Sequence, residues 1–564
     1  MLIGEERRLA LVSAAYALLT FVMAYPLSAT PGSAVVVDAP DTHVYIWTIA
    51  WDVHAFLNQP LRIFDANIYH PFPHTLAFSE NLIGSAFFAA PFIWLTGNLV
   101  LGMNMAALIT CLLCGVGGYV LARALQLGPG PAFLCGLVYA FSPPRFFKLG
   151  QLHTTAMQFI PFTLAFLHLY FDRGDRKYLL IAVGCFTLQA LSSGHGAAFT
   201  AIAIVLFIGW RTLFGQPLAI RQWLRDFGVA GAYLIAPAIW MLIPYQLVKQ
   251  QGGLRWGYTA DALPAAESFL ASPSRLHMYL QREWLGKTTI NEHAIAFLFP
   301  GILVLAMAIV AIAIWRPRSR EQWRIEATGF YALLAIVTTL MFAPPPLGIW
   351  RFVYWLPGFN FIRVPPRFAI VTLMCLGVLL AAAIDRLTRT RSMAARAIVT
   401  SVMAVLLLGE FFSYPFPSIS YAIDVPAVDR WLDTQPKPFV VAEVPVPSPG
   451  NWGAYERMNS NAMLHATAHW QKTIHGYSSM RRPLHDRVYV ELTLFPDRVS
   501  IDSLRELGVN YVVVHTDHYP GDRWRQVEAA LPAFPELQLV HTDGPGRVYA
   551  LRSIPSGVSD ATRR

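Results

Sequence analysis

Long apolar runs alternate with short polar connections along most of the chain. Runs of about 20 residues suit a helix that crosses a bilayer. They fall near 9–27, 98–122, 130–147, 153–171, 179–193, 195–210, 227–244, 293–314, 325–342, 368–385 and 396–413. The stretch 81–97 is also apolar, but Pro91 interrupts it and Gly97-Asn98 ends it. The connections Asp172–Lys177, Arg211–Arg225, Arg316–Arg324 and Arg386–Arg396 are short and basic, as is the N-terminus with Arg7 and Arg8. Positive loops stay in the cytoplasm. A crossing at 81–97 would move all four loops outside, so that stretch reads as a re-entrant or surface helix. The pattern thus predicts a polytopic α-helical membrane protein with about 11 spans. The first run reads as an uncleaved span, because no small-residue cleavage site follows it.

This topology puts four connections outside the cytoplasm: 28–97, 143–152, 245–292 and 343–367. They are longer than the basic loops and rich in Trp, Tyr, His, Pro and acids. From about 414 the pattern changes again. Val425–Thr434 and Trp524–Leu531 read as helices. Phe439–Pro445, Tyr511–His515, Leu537–His541 and Arg547–Leu551 read as strands, and Gly508 as a helix C-cap. The division expected is a membrane module over 1–413 and an extracytoplasmic C-terminal α/β domain over 414–564. Ser556–Arg564 reads as disordered. No glycine-rich phosphate loop marks a nucleotide site.

Composition supports the membrane reading. Of 564 residues, 55% are apolar and 14% charged. Mean hydropathy is +0.44. The formal net charge of +9 is explained by topology, since most basic residues lie in the short loops, so no nucleic-acid partner is implied. The five cysteines lie inside apolar runs, which argues against a disulfide framework or zinc site.

Candidate chemistry sits in the outer loops. Asp41 follows the first span, with Asp38 and Asp52 as competitors for a general base. After Pro40 the chain turns amphipathic. Ile46, Trp47, Ala50, Trp51 and Phe56 can share a face lying flat on the membrane, with Trp rings at headgroup level. Glu80 is a second acid. Two acids on one loop can share a metal or divide base and orienting roles; equally, Glu80 can be a helix N-terminal acid with Ser79 as cap. His70 and His74 are loop histidines that could join a metal site or simply lie at the surface. Arg145, Lys148 and His153 place cations on an outer loop and could hold a phosphate. His195, in Ser192-Ser193-Gly194-His195-Gly196, reads as a packing or turn residue. Arg363 and Arg367 flank Pro365-Pro366 and suit bidentate capture of phosphate or of lipid headgroups. The loop 245–292 mixes Tyr245, Arg255, Trp256, Tyr258, Asp261, Glu267, Trp284, Lys287 and Glu292, with His293 just beyond. That mixture suits sugar recognition or an interfacial loop.

Several motifs carry a resemblance. Asp41-Thr42 with Trp47 and Trp51, Phe64-Asp65-Ala66-Asn67-Ile68-Tyr69-His70-Pro71 and Ser79-Glu80 come first. Ala140–Arg145 leading to His153, Arg363-Val364-Pro365-Pro366-Arg367-Phe368, His475-Gly476-Tyr477-Ser478 and Leu507–His515 follow. In this order they resemble the bacterial YfhO-like membrane proteins, a group similar to the GT-C glycosyltransferases. The resemblance implies a bacterial inner (plasma) membrane enzyme. It would take a sugar from a polyprenyl-phosphate donor to a cell-surface glycan, lipid or protein acceptor on the outer face, with inversion. Asp41 would then be the catalytic base and Glu80 the second acid. Arg363 and Arg367 would neutralise the departing lipid phosphate, and His43 stands close enough to Asp41 to orient the acceptor. The first loop has no Asp-x-Asp and no Asp-Glu pair, so a divalent cation is possible but not required by the sequence. The competing reading is a non-enzymatic lipid or polysaccharide transporter or assembly protein, which predicts ionisable residues along a path through the spans; Asp385 and Glu410 are the ones near run ends.

Overall fold

The computed structural model describes residues 2–214, 220–252, 263–285, 296–317, 319, 327–356, 359–448, 450–478, 480 and 482–552. Arg255, Trp256, Tyr258, Asp261, Lys287, Glu292 and His293, and the tail Ser556–Arg564, lie outside them. The chain divides into two compact units. One comprises Met1–Val37, Glu80–Ile243 and Arg255–Ser420; the other comprises Asp38–Ser79, Pro244–Leu254 and Tyr421–Arg564. Residues 38–79 of the first loop therefore belong to the same compact unit as most of the tail, while 28–37 and 80–97 belong to the helical unit.

The first unit is helical. Among the described residues, five helices are long and apolar enough to cross a membrane: Leu99–Ala124, Gly194–Phe214, Ile220–Gln250, Pro365–Thr388 and Met393–Phe411. Shorter apolar helices include Ile83–Thr96, Pro129–Phe141, Ile302–Ile314 and Thr328–Phe342. Lipid offers no hydrophobic drive between apolar helices, so close backbone approach matters. A Cβ added to Gly118 would lie 2.8 Å from the Cα of Gly136, which is why the Leu99–Ala124 and Pro129–Phe141 helices carry glycine where they meet. The buried Asn104 Nδ2 donates to Pro31 O at 2.8 Å and Ala34 O at 2.7 Å. It thereby pins the segment leaving the first helix, where strand β1 (Ala34–Val35) pairs antiparallel with β2 (Ile419–Ser420).

The second unit is built on a five-stranded sheet. Its strands are β3 (Val440–Val444), β4 (Lys472–Thr473), β5 (Tyr511–His515), β6 (Leu537–Asp543) and β7 (Gly546–Leu551), in the order β4-β3-β5-β7-β6. β4, β3 and β5 run parallel, and β7 and β6 close the sheet antiparallel. The near-continuous apolar runs of β3 and β5 have a physical cause: both faces are covered. Ala442, Val444, Val512 and Val514 enter one core with Tyr489, Leu492 and Leu504. Val441, Val513 and Val548 enter the other with Val428 and Leu432.

The first loop completes this unit. Asn67 O accepts from Thr473 N at 2.8 Å, and His70 N donates to Thr473 O at 2.9 Å. Segment 67–70 thus covers the edge of β4, which would otherwise expose unpaired backbone groups. Tyr69 is buried, and a Cβ on Gly476 would meet its ring at 2.4 Å. Gly476→Ala is expected to lower the stability of this unit by about 1–3 kcal/mol through overpacking, seen as a lower thermal midpoint of the detergent-solubilised chain.

The helix Pro40–Asn58 corrects an expectation. Trp47 and Trp51 do not lie at headgroup level. They are 2% and 3% exposed, and Trp51 packs against Trp470 with ring centroids 6.2 Å apart. Every residue from Thr42 to Val53 is buried, so the helix is a core element whose indoles fill protein interior rather than membrane interface.

Candidate active site

In the helical unit, five sequence candidates converge. Glu80 does not cap its own helix. Asn81 Oδ1 takes the Ile83 amide at 3.1 Å, while Glu80 crosses to the Gly194–Phe214 helix. There its Oε2 accepts from Gly194 N at 2.6 Å and its Oε1 from His195 N at 3.3 Å. Unsatisfied amides and the positive end of a helix favour an anion at this position. His195 Nδ1 also makes a close contact with Glu80 Oε1. On the other side of the ring, Arg367 Nη1 lies 2.9 Å from His195 Nε2. A guanidinium only donates, so Nε2 carries the lone pair, Nδ1 carries the proton, and the imidazole is neutral. The result is a Glu80–His195–Arg367 relay. His195, expected as a turn residue, is its centre; Gly194-His195 at a helix start was the available signal.

The electrostatics favour an anion. Burial raises the Glu80 carboxyl, but His195, the Gly194 amide and Arg367 outweigh it and hold the group below its ordinary range. Lys148 is brought down to about 8 by burial and then by Arg367. His153 is buried beside this group. Its ring centroid is 6.5 Å from that of His195. Lys148 and Arg367 thus repel one another, and an incoming phosphate would relieve that repulsion.

Two other candidates separate. Arg145 is fully buried. Its Nη1 donates to Ala140 O at 2.9 Å and its Nη2 to Thr155 O at 3.1 Å. It braces the turn that carries Lys148 and His153 rather than offering a free guanidinium. Arg363 is exposed.

The candidates of the second unit are resolved by burial. Asp41 is exposed in the first turn of its helix and accepts from the Tyr477 hydroxyl at 3.3 Å. Burial, then Asp41 and Glu456, push the Tyr477 phenol up, so it stays protonated and donates. Asp38 is occupied by Arg457, with Nη1 2.5 Å from Oδ1. His43 is buried, with Nε2 3.0 Å from Asp38 Oδ1 and Nδ1 3.1 Å from Ser460 Oγ. It fastens the Pro40–Asn58 helix to Trp452–His465 and is not turned toward solvent. Asp52 is fully buried, neither oxygen makes a hydrogen bond, and burial pushes its carboxyl well above the ordinary range. A carboxyl kept protonated this way is unfit as a general base. Asp38 and Asp41 are both exposed, but Asp38 is ion-paired with Arg457 whereas Asp41 is held by the neutral Tyr477 hydroxyl. His70 and His74 serve the loop itself: His70 Nε2 donates to Leu507 O at 3.0 Å, and His74 Nδ1 is 3.1 Å from Asp65 Oδ1. Tyr477 and Arg457 were not singled out by sequence; Tyr477 does lie inside a quoted motif.

No protein-family model matches the sequence, and no curated protein matches it. Solved structures do. The arabinofuranosyltransferase AftD from mycobacteria superposes on 97% of this chain with a TM-score of 0.62 and 16% identity. The chain spans 40% of the length of that protein. The archaeal oligosaccharyltransferase AglB from Archaeoglobus fulgidus, solved with an inhibitory peptide and a dolichol-phosphate, superposes on 98% of the chain and 75% of its own length. Its TM-score is 0.51 at 12% identity. Both are GT-C glycosyltransferases. The chain therefore shares the fold of these enzymes, and its described residues include five helices long and apolar enough to cross a membrane.

Proposed function

We propose that the chain is an inverting membrane glycosyltransferase of the YfhO-like group. It transfers a sugar from a polyprenyl-phosphate donor to a cell-surface glycan, lipid or protein acceptor. The observation that carries this reading is the partly buried relay Glu80–His195–Arg367 with Lys148 beside it, a cation-rich setting matched to a lipid phosphate. In the reaction, Asp41 takes the proton of an acceptor hydroxyl. That oxygen attacks the anomeric carbon, the bond from that carbon to the phosphate oxygen breaks, and the lipid phosphate departs with both electrons. Arg367 and Lys148 stabilise the charge as it develops. Glu80 acts through His195 and is a positioning residue. Arg363, exposed on the same loop, meets the donor phosphate or neighbouring headgroups. The topology proposed has about 11 spans in the bacterial inner membrane, with residues 414–564 outside the cytoplasm.

The transporter reading fits less well. Asp385 Oδ1 accepts from Gly128 N at 2.9 Å, and Asp385 Oδ2 pairs with Arg389 at 3.1 Å. Glu410 is buried against His277 Nε2 at 2.9 Å and accepts from the Ile302 and Leu303 amides. Both acids close helix ends with local partners, which leaves them poor stations on a transport path.

The test is a purified chain in proteoliposomes given labelled polyprenyl-phosphate sugars. Free polyprenyl phosphate should accumulate with inverted glycosidic product. Translocation of intact donor without its consumption would reject the enzyme in favour of a transporter. Lys148 adds a pH signature. Bound phosphate favours the ammonium form, so donor binding is strongest below pH 8 and weakens as the amine loses its proton through about 8. The donor KM is therefore expected to rise on the alkaline side, and Lys148→Arg should move that rise to higher pH.

A further inference from the structure

A second constellation lies wholly within the sheet-containing unit. Glu443 on β3 is in register with Val513 of the parallel strand β5. Side chains alternate along strands, so Glu443 and His515, two residues beyond Val513, share one face. Both sit at the carboxyl ends of their strands, the edge where parallel sheets commonly bind ligands. His465, the last residue of the Trp452–His465 helix, meets them there. Glu443 Oε2 is 2.8 Å from His465 Nδ1 and 2.8 Å from His515 Nε2. The three ligand atoms lie within 4.8 Å of one another, and all three residues are buried. They line a cavity of about 280 Å³ together with Arg457 and His518.

We infer that Glu443, His465 and His515 form a binding site for a zinc-class divalent cation. Two imidazoles and one carboxylate are a donor set suited to zinc and its first-row neighbours, and three protein ligands leave a fourth position free. Here that position opens to the cavity. The strand end is held in place independently of any ion: the Glu443 amide donates to His475 Nε2 at 2.7 Å. A second observation points to a cation. Asp429 is fully buried within electrostatic reach of this group, and neither of its oxygens makes a hydrogen bond; His469 Nε2 stands 3.8 Å from its Oδ1. Glu443 is already paired with the two imidazoles, so the uncompensated buried carboxyl group is Asp429, and a divalent ion at the cluster would supply opposite charge beside it. The inference is independent of the glycosyl-transfer reading, since none of these residues is assigned to that reaction.

The test uses the full chain, purified in detergent, stripped with chelator and titrated with Zn²⁺ alone against a chromophoric competitor. One equivalent per chain is expected, with at least about 100-fold weaker uptake in His465→Ala and His515→Ala. His541→Ala, outside the cluster, should bind as the parent does. X-ray absorption of the zinc-loaded parent should show two imidazoles and oxygen ligands, and this reading stands even where a variant fails to fold. Less than half an equivalent in the folded parent would overturn the site. So would full retention in both variants, or a first shell without imidazole.

Discussion

Asp41→Asn is expected to reduce sugar transfer by about 10²–10⁴-fold with little change in the donor KM. The amide keeps the shape of the carboxylate and can still accept from the Tyr477 hydroxyl, but it cannot take a proton. The loss therefore belongs in kcat. Asp41 is exposed, so the substitution carries no burial penalty and protein levels should be unchanged, which separates catalysis from folding. Tyr477→Phe should cost much less, because it removes an orienting hydrogen bond at 3.3 Å and not the base. The measurement is steady-state transfer in proteoliposomes alongside membrane abundance. Parent-like turnover in Asp41→Asn would remove Asp41 from the mechanism.

Arg367→Gln should cut kcat by about 10²–10³-fold, the magnitude seen when one fixed donor to a developing anion is lost. It should also raise the donor KM. Arg367 holds His195 Nε2 at 2.9 Å, and a lysine cannot span that contact and a phosphate in the same planar geometry, so Arg367→Lys should recover little. Glu80→Gln acts on the same relay from the other end. The double variant Glu80→Gln/Arg367→Gln is then expected to be clearly non-additive, because residues in one network couple. Additive losses would show that the two residues act separately. Thermal unfolding of each variant distinguishes this coupling from simple loss of the fold.

Much of the helical unit was legible because its signal is repetitive. Apolar runs at bilayer length and basic connections report spans without knowledge of packing. The run 81–97 forms one short helix, Ile83–Thr96, which continues through Pro91, contrary to the break expected there, and ends at Gly97. The tail was legible for a related reason: apart from Glu443 and His515, Val440–Val444 and Tyr511–His515 are nearly continuous apolar runs, which suits strands covered on both sides. Reading failed where one residue type serves two settings. Trp47 and Trp51 have the composition of an interfacial belt, yet they are core residues, since an indole suits either an interior or a headgroup layer. Arg145 reads as an outer cation and is instead spent on two carbonyls.

By itself the sequence determined the predominance of apolar helices, the order of apolar elements and the short list of acids and cations, because periodicity, length and charge are local properties of the chain. Tertiary structure decided which of them act together. Glu80 and His195 are 115 positions apart and His195 and Arg367 are 172 apart, while Glu443, His465 and His515 come from two strands and a helix. Hydrogen bonds fall off within a few tenths of an ångström, so only the packed fold could select these partners, bury Asp52 and leave Asp41 in solvent.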